Sequence, residues 1–158
     1  MRPASRGAHC NAEMTPFKIQ HRVPWADVDL AKIVYFPRYF SYFEMAEMEW
    51  HRSEGWSYED MLEGLGIWMP RVAAHCNYHA PARLADLLSI ELHLERLGRT
   101  SYTFGYDAFR LPERTRLADG YVTIATVARG TFRPTPVPQE LVTRLKTLVL
   151  REPSTRKK

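Results

Sequence analysis

The feature that most constrains this chain is a helix with almost no polar side. Between Pro37 and Gly55 the apolar residues Tyr39, Phe43, Ala46 and Trp50 recur at spacings of four, three and four. Phe40, Tyr42, Met45 and Met48 widen that stripe nearly all the way round. A helix of this kind needs to be enclosed rather than laid on a surface. Pro37 suits the first helical position, where its missing N–H costs nothing, and Gly55 is a stop. Ser57-Tyr58-Glu59-Asp60 caps a second short helix that ends near Leu65.

The enclosing material has to be strand, because nearly everything else alternates. Phe17, Ile19, His21, Val23 and Trp25 alternate with Lys18, Gln20, Arg22 and Pro24 ahead of the helix. After it come a strand over residues 68–78, with Pro70 near its start, and three further runs. Leu88, Ile90, Leu92 and Leu94 carry one run; Tyr102, Phe104, Tyr106 and Ala108 the next; Val122, Ile124, Thr126 and Ala128 the last. Pro134, Pro136 and Pro138 end the sheet, and residues 139–150 read as a closing helix with Leu141, Leu145 and Leu148 on one side. The expected fold is α+β: an antiparallel sheet of about five strands wrapped around one long buried helix. Such a sheet has a long edge that dimerisation would cover.

Length and charge narrow the function classes. The chain has 158 residues, enough for one domain, which we place at residues 15–150 between an N-terminal tail (1–14) and a basic C-terminal tail (151–158). The net charge is 22 − 18 = +4, and the tails account for it, so a nucleic-acid surface is not expected. No run is long and apolar enough for a membrane helix, and residues 1–14 hold no apolar stretch like that of a secretory leader. Two cysteines, Cys10 and Cys76, are too few for a disulfide framework. These features together read as cytoplasmic.

Chemistry concentrates in residues 25–39, WADVDLAKIVYFPRY. Two acids, Asp27 and Asp29, precede an apolar run that enters the helix through Pro37. A helix start offers free N–H groups and the positive end of the macrodipole, which together can hold an oxyanion. A nearby carboxylate can attack, or take a proton from water. Spacing alone leaves a second reading open, in which both acids are turn formers.

Residues 25–39 resemble the signature of the 4-hydroxybenzoyl-CoA thioesterase family, which has the hotdog fold. Phe43-Glu44-Met45-Ala46 with Glu49-Trp50, the segment from Asn77 to Leu88, and the Pro-Thr-Pro-Val-Pro run extend the resemblance over residues 17–148. It implies hydrolysis of an acyl-CoA or carrier-protein thioester, by a homodimer or a dimer of dimers, with no cofactor because CoA is part of the substrate. Carried over residue by residue, Asp29 is the catalytic carboxylate, as nucleophile or general base. The backbone N–H of Phe36 polarises the carbonyl. Glu44 lines the acyl pocket, or alternatively is an ion-pairing helix residue. Arg96 and Arg99 correspond to a basic turn that contacts the nucleotide, with Arg129 and Arg133 as looser candidates. Lys32 departs from the pattern, since many relatives carry glycine there, and this places the turn geometry in question.

Other constellations fall away. His75 and His79 lie about 13 Å apart on an extended strand, too far to share a metal ion. Cys76 lacks an activating partner and reads as a buried structural thiol. Hotdog hydratases resemble a pattern with histidine five residues after the acid, but Val34 follows Asp29 at that distance and Lys32 follows Asp27. A non-catalytic acyl-binding protein on the same fold is the remaining alternative.

Overall fold

The computed structural model describes residues 16–148 and 150–151. The expected tail over residues 1–14, and the C-terminal tail beyond Arg151, lie outside the described residues.

Period-2 alternation becomes five long strands. β1 (Phe17–Arg22), β3 (Arg71–Tyr78), β4 (Leu87–Leu97), β5 (Ser101–Leu111) and β6 (Thr115–Ala125) form one sheet in the order β1-β4-β5-β6-β3. Every neighbouring pair in it is antiparallel. α1 (Arg38–Ser53) follows β1 and lies on one face of this sheet. Phe43 stacks on Tyr106 with ring centroids 4.5 Å apart, and Trp50 meets Phe104 edge-on at 5.6 Å. Leu88, Ile90, Leu92, Phe104 and Ile124 complete this core, all without solvent exposure.

α1 ends at Gly55, whose φ of 81° is the left-handed conformation that glycine adopts without strain. α2 (Tyr58–Leu65) is capped as its sequence implies, with the Asp60 N–H donating to Ser57 Oγ at 3.1 Å. β2 (Ile67–Trp68) and β7 (Val127–Ala128) form a separate two-stranded ribbon. α3 (Gln139–Leu145) closes the chain with Leu141 and Leu145 buried, and Leu148 is buried just beyond it.

Several expectations need correction. The helix is not enclosed: Glu44 and Met45 are exposed and Phe40 is half-buried, so α1 shows the sheet one side only. The first strand stops at Arg22, and Trp25, expected on its buried face, is 77% exposed in a one-turn 3₁₀ segment, Trp25–Asp27. Proline has no N–H for a ladder, and Pro24 and Pro70 both fall at strand breaks, Pro70 dividing the expected strand into β2 and β3. The third run likewise divides, at Thr126, whose hydroxyl donates to the Thr135 and Thr100 carbonyls. α3 is shorter than the closing helix expected over residues 139–150.

The sheet face away from α1 is polar yet buried. Ser89, Glu91, His93, Asp107 and Asp119 are all under a tenth exposed. Long arginines lie across it, Arg114 on Glu91 at 2.7 Å and Arg116 on Asp107 at 2.6 Å. Arg151, placed by sequence at the start of a tail, donates its N–H to the Leu94 carbonyl at 2.9 Å and its guanidinium to Asp107 at 3.2 Å. Gly105 pairs with His93, and a Cβ there would come within 2.2 Å of the His93 ring. No helix among the described residues is long and apolar enough to cross a membrane.

Candidate functional site

Residues 27–36 form a tight hairpin leading into α1. The Tyr35 N–H donates to the Asp27 carbonyl at 2.8 Å and the Asp29 N–H to the Ile33 carbonyl at 2.9 Å, with Val28 and Val34 bridged between them. The chain reverses over Asp29–Lys32, where the Lys32 N–H donates to the Asp29 carbonyl at 2.9 Å. Lys32 itself takes φ 60°, the left-handed region that favours glycine. Its side chain is exposed, so the departure from glycine is accommodated and the turn closes. Val34 donates its N–H to the Ala82 carbonyl at 2.8 Å, which ties the hairpin to the segment after β3.

The two acids have different surroundings. Asp27 is 9% exposed and receives the Tyr42 hydroxyl on Oδ2 at 2.8 Å, with Arg38 Nε 3.2 Å from Oδ1. Burial pushes the Tyr42 phenol far above its usual range, and the bond to Asp27 adds to this, so Tyr42 remains a donor. Asp29 is half-buried, and its Oδ1 accepts the Ala31 N–H at 2.8 Å.

Phe36 stands immediately before Pro37, at the open end of α1. Its carbonyl accepts the Tyr78 hydroxyl at 3.0 Å, while its N–H meets no acceptor among the described residues. Asp29 and Phe36 are therefore brought to one end of the helix by one hairpin. Trp25, Leu30, Tyr35, Phe36 and Tyr78 leave apolar surface exposed around that end.

Arg96 and Arg99 are elsewhere. β4 begins opposite Arg22, at the hairpin's end of the sheet, and its residue Arg96 lies about 30 Å further along at 3.3 Å per residue. One chain alone does not place that turn beside Asp29. Glu44 faces a cavity of about 260 Å³ between α1 and β3, lined also by Phe40, Glu47, Arg71, Tyr106 and Val122.

That cavity holds residues the sequence reading missed. Glu47 is 2% exposed and accepts from Arg71 Nη2 at 2.7 Å, while Arg71 Nη1 donates to the Tyr58 hydroxyl at 2.5 Å. A signal was available: Glu47 falls among Phe43, Ala46 and Trp50 in helical projection, a charge inside the buried stripe. Nothing comparable marked Tyr106, one of several alternating aromatics.

Burial pushes the Cys76 thiol up to about 11, which keeps it protonated and poorly nucleophilic near neutral pH. His75 meets the Asn77 side chain at 2.8 Å, whereas His79 pairs with Asp119.

The sequence model of the Thioesterase-like superfamily matches residues 23–145. Acyl-CoA thioester hydrolase YbgC of Escherichia coli (strain CFT073) is 27% identical over 132 residues, covering 84% of this chain and 97% of YbgC. The crystal structure of a hypothetical protein from Aquifex aeolicus superposes with a TM-score of 0.75 at 31% identity, over 82% of this chain and 99% of that one. A 1,4-dihydroxy-2-naphthoyl-CoA thioesterase from Synechocystis has a TM-score of 0.78 at 24% identity, over 82% of this chain and 95% of its own, a likeness of fold.

Proposed function

The chain belongs to the Thioesterase-like superfamily, and from that premise we propose that it hydrolyses acyl-CoA thioesters at the Asp27–Phe36 hairpin. The observation that carries this reading is the Phe36 N–H, a donor with no acceptor among the described residues, at the positive end of α1 and on the same hairpin as Asp29.

A thioester carbonyl oxygen that accepts the Phe36 N–H gains a donor aligned with the charge it acquires as the carbon becomes tetrahedral. The Asp29 carboxylate then attacks that carbon, or takes a proton from a water that attacks it. In either route the C–S bond breaks, the CoA thiolate leaves with the electron pair and is protonated, and water supplies the acid's new oxygen. Holding Oδ1 on the Ala31 N–H orients the carboxylate and leaves Oδ2 available. Asp27 acts through position, anchoring the hairpin to α1 by way of Tyr42 and Arg38.

The reading includes a homodimer. β3 is an edge strand of eight residues, nearly all exposed, with its outer backbone groups open to pairing. Antiparallel pairing of β3 with β3 of a second copy would turn that copy's Arg96–Arg99 turn toward the Asp29 end of this chain. There the two guanidiniums can meet CoA phosphates.

Asp29→Asn tests the reading. Asparagine keeps the acceptor for the Ala31 N–H but cannot attack or take a proton. Thiol release from acyl-CoA is expected to fall about 10²–10⁴-fold with the melting temperature unchanged. Wild-type turnover in this variant removes Asp29 from the mechanism.

A further inference from the structure

The N–H assigned to the oxyanion sits on a short turn, and its use depends on how firmly that turn is aimed. The peptide unit joining Tyr35 to Phe36 carries it. Ahead of this N–H, the Tyr35 N–H donates to the Asp27 carbonyl at 2.8 Å and the Tyr35 carbonyl accepts the Arg38 N–H at 2.9 Å. Behind it, the backbone donor that reaches the Phe36 carbonyl is the Tyr39 N–H at 3.5 Å, longer than an ordinary hydrogen bond. The short bond to that carbonyl comes from another element: the Tyr78 hydroxyl, at 3.0 Å.

Tyr78 is itself well held. It is the last residue of β3 and stands opposite Ala118 of β6, and the N–H groups of His79 and Ala80 donate to the Leu117 carbonyl at 2.8 and 3.3 Å. Its ring stands edge-on to Tyr39 at 5.5 Å and to Phe36 at 6.3 Å. Four residues on, the Ala82 carbonyl accepts the Val34 N–H at 2.8 Å. The segment from Tyr78 to Ala82 therefore grips the hairpin twice, at Val34 before the open N–H and at the Phe36 carbonyl after it. With both peptide units that meet at Phe36 anchored, its two backbone torsions are set, and with them the direction of the N–H.

Tyr78 and Phe36 are 46% and 58% exposed, so this bond joins two side chains that the core does not need. A bond that water can replace contributes little to stability, about 1 kcal/mol or less. Aim is what it can supply, because an oxyanion donor works only when preorganised, and a misplacement of about 1 Å can lower a rate by as much as about 10²-fold. Resting on the hydrolytic reading above, we infer that Tyr78 is a positioning residue for thioester hydrolysis: its hydroxyl fixes the Phe36 carbonyl and thereby aims the Phe36 N–H at the developing oxyanion. The phenol acts through Phe36 and not on the thioester, and it links the edge strand β3 to the reacting end of α1.

The test is Tyr78→Phe on the full chain, which keeps both ring contacts and removes only the bond. Thiol release is followed from whichever of benzoyl-, butyryl- and palmitoyl-CoA the wild-type protein turns over fastest. We expect kcat to fall about tenfold, with KM within about twofold and the melting temperature unchanged. A purely structural role would instead lower the melting temperature, or raise KM as the hairpin loosens. Should Tyr78→Phe fail to fold, a ring-fluorinated tyrosine at position 78, whose phenol ionises near neutral pH, keeps the shape and gives a second readout. Its kcat relative to wild type is expected to fall as pH rises through that ionisation, because a phenolate cannot donate. An unchanged kcat in Tyr78→Phe, a loss confined to KM or stability, or a fluorinated protein whose pH profile matches the wild type overturns the assignment. Wild-type turnover that Asp29→Asn abolishes then leaves the hydrolytic reading in place without Tyr78. If the wild-type protein turns over none of the three esters, that reading fails and the role of Tyr78 fails with it.

Discussion

Asp27 and Asp29 stand two residues apart on one hairpin, and their surroundings divide them. Asp27 is turned into the protein, where Tyr42 and Arg38 occupy both of its oxygens. Asp29 lies at the turn, half-buried, with one oxygen on the Ala31 N–H. A carboxylate whose lone pairs are taken by buried partners can hold a structure together but is poorly placed to attack. One that keeps an oxygen available at a helix start can do chemistry. The lesson is that identical side chains at neighbouring positions acquire different surroundings, and the division of work proposed for them rests on that difference.

The sharpest way to break this contrast is to remove each acid in turn and read activity against stability. Asp29→Asn carries the largest effect, on turnover, with the melting temperature held. Asp27→Ala does the reverse: it leaves the buried Tyr42 hydroxyl and the Arg38 guanidinium without their partner. We expect a stability loss of about 2–3 kcal/mol by denaturant titration, with activity falling because the hairpin loosens. A wild-type denaturation midpoint in Asp27→Ala would erase the distinction between the two acids.

A smaller effect concerns the polar face of the sheet, where burial again decides what a titratable group does. Burial lowers the His93 imidazole from 6.5 to about 4, even though Asp107 pulls the other way. The unfolded chain therefore takes up this proton first as pH falls. Stability from His93 is present above about pH 6.5 and is lost between there and about pH 4. His93→Gln should flatten that decline by on the order of 2 kcal/mol at about pH 4.5. Parallel stability curves for the two proteins would show that His93 contributes nothing to it.

The smallest effect is at the turn itself. Lys32→Gly relieves a left-handed residue, and we expect a gain of up to about 1 kcal/mol in denaturant stability, partly offset by glycine's extra freedom in the unfolded chain. A loss of stability would mean that the lysine side chain holds the turn.

Much of the fold was legible because alternation and helical spacing are local. Ile90 and Phe104 alternate inward as read, and Ser57 caps α2 as read. Glu91 and His93 alternate outward from Ile90 and Leu92 and yet lie buried, Glu91 beneath Arg114 of the turn between β5 and β6, which local alternation does not encode. Helical spacing misjudged α1, whose aromatic wrap does not enclose it in one chain. At the candidate site, the resemblance marked Asp29 and Phe36, and the hairpin brings both to one helix end. It marked Arg96 and Arg99 as well, and those lie at the far end of β4 because antiparallel register, invisible in the residues themselves, decides which turn falls beside which.

What the sequence by itself determined was which residues form strands and helices and which faces are apolar, since backbone preference and burial follow periods of two and of 3.6. What only the tertiary structure decided was partnership: Tyr42 on Asp27, Arg71 on Glu47, an open N–H at Phe36 and an unpaired hydroxyl at Tyr106. Those pairings join segments as far apart as 24 residues along the chain. Their existence depends on how α1 is set against the sheet, and no local pattern of side chains encodes that placement.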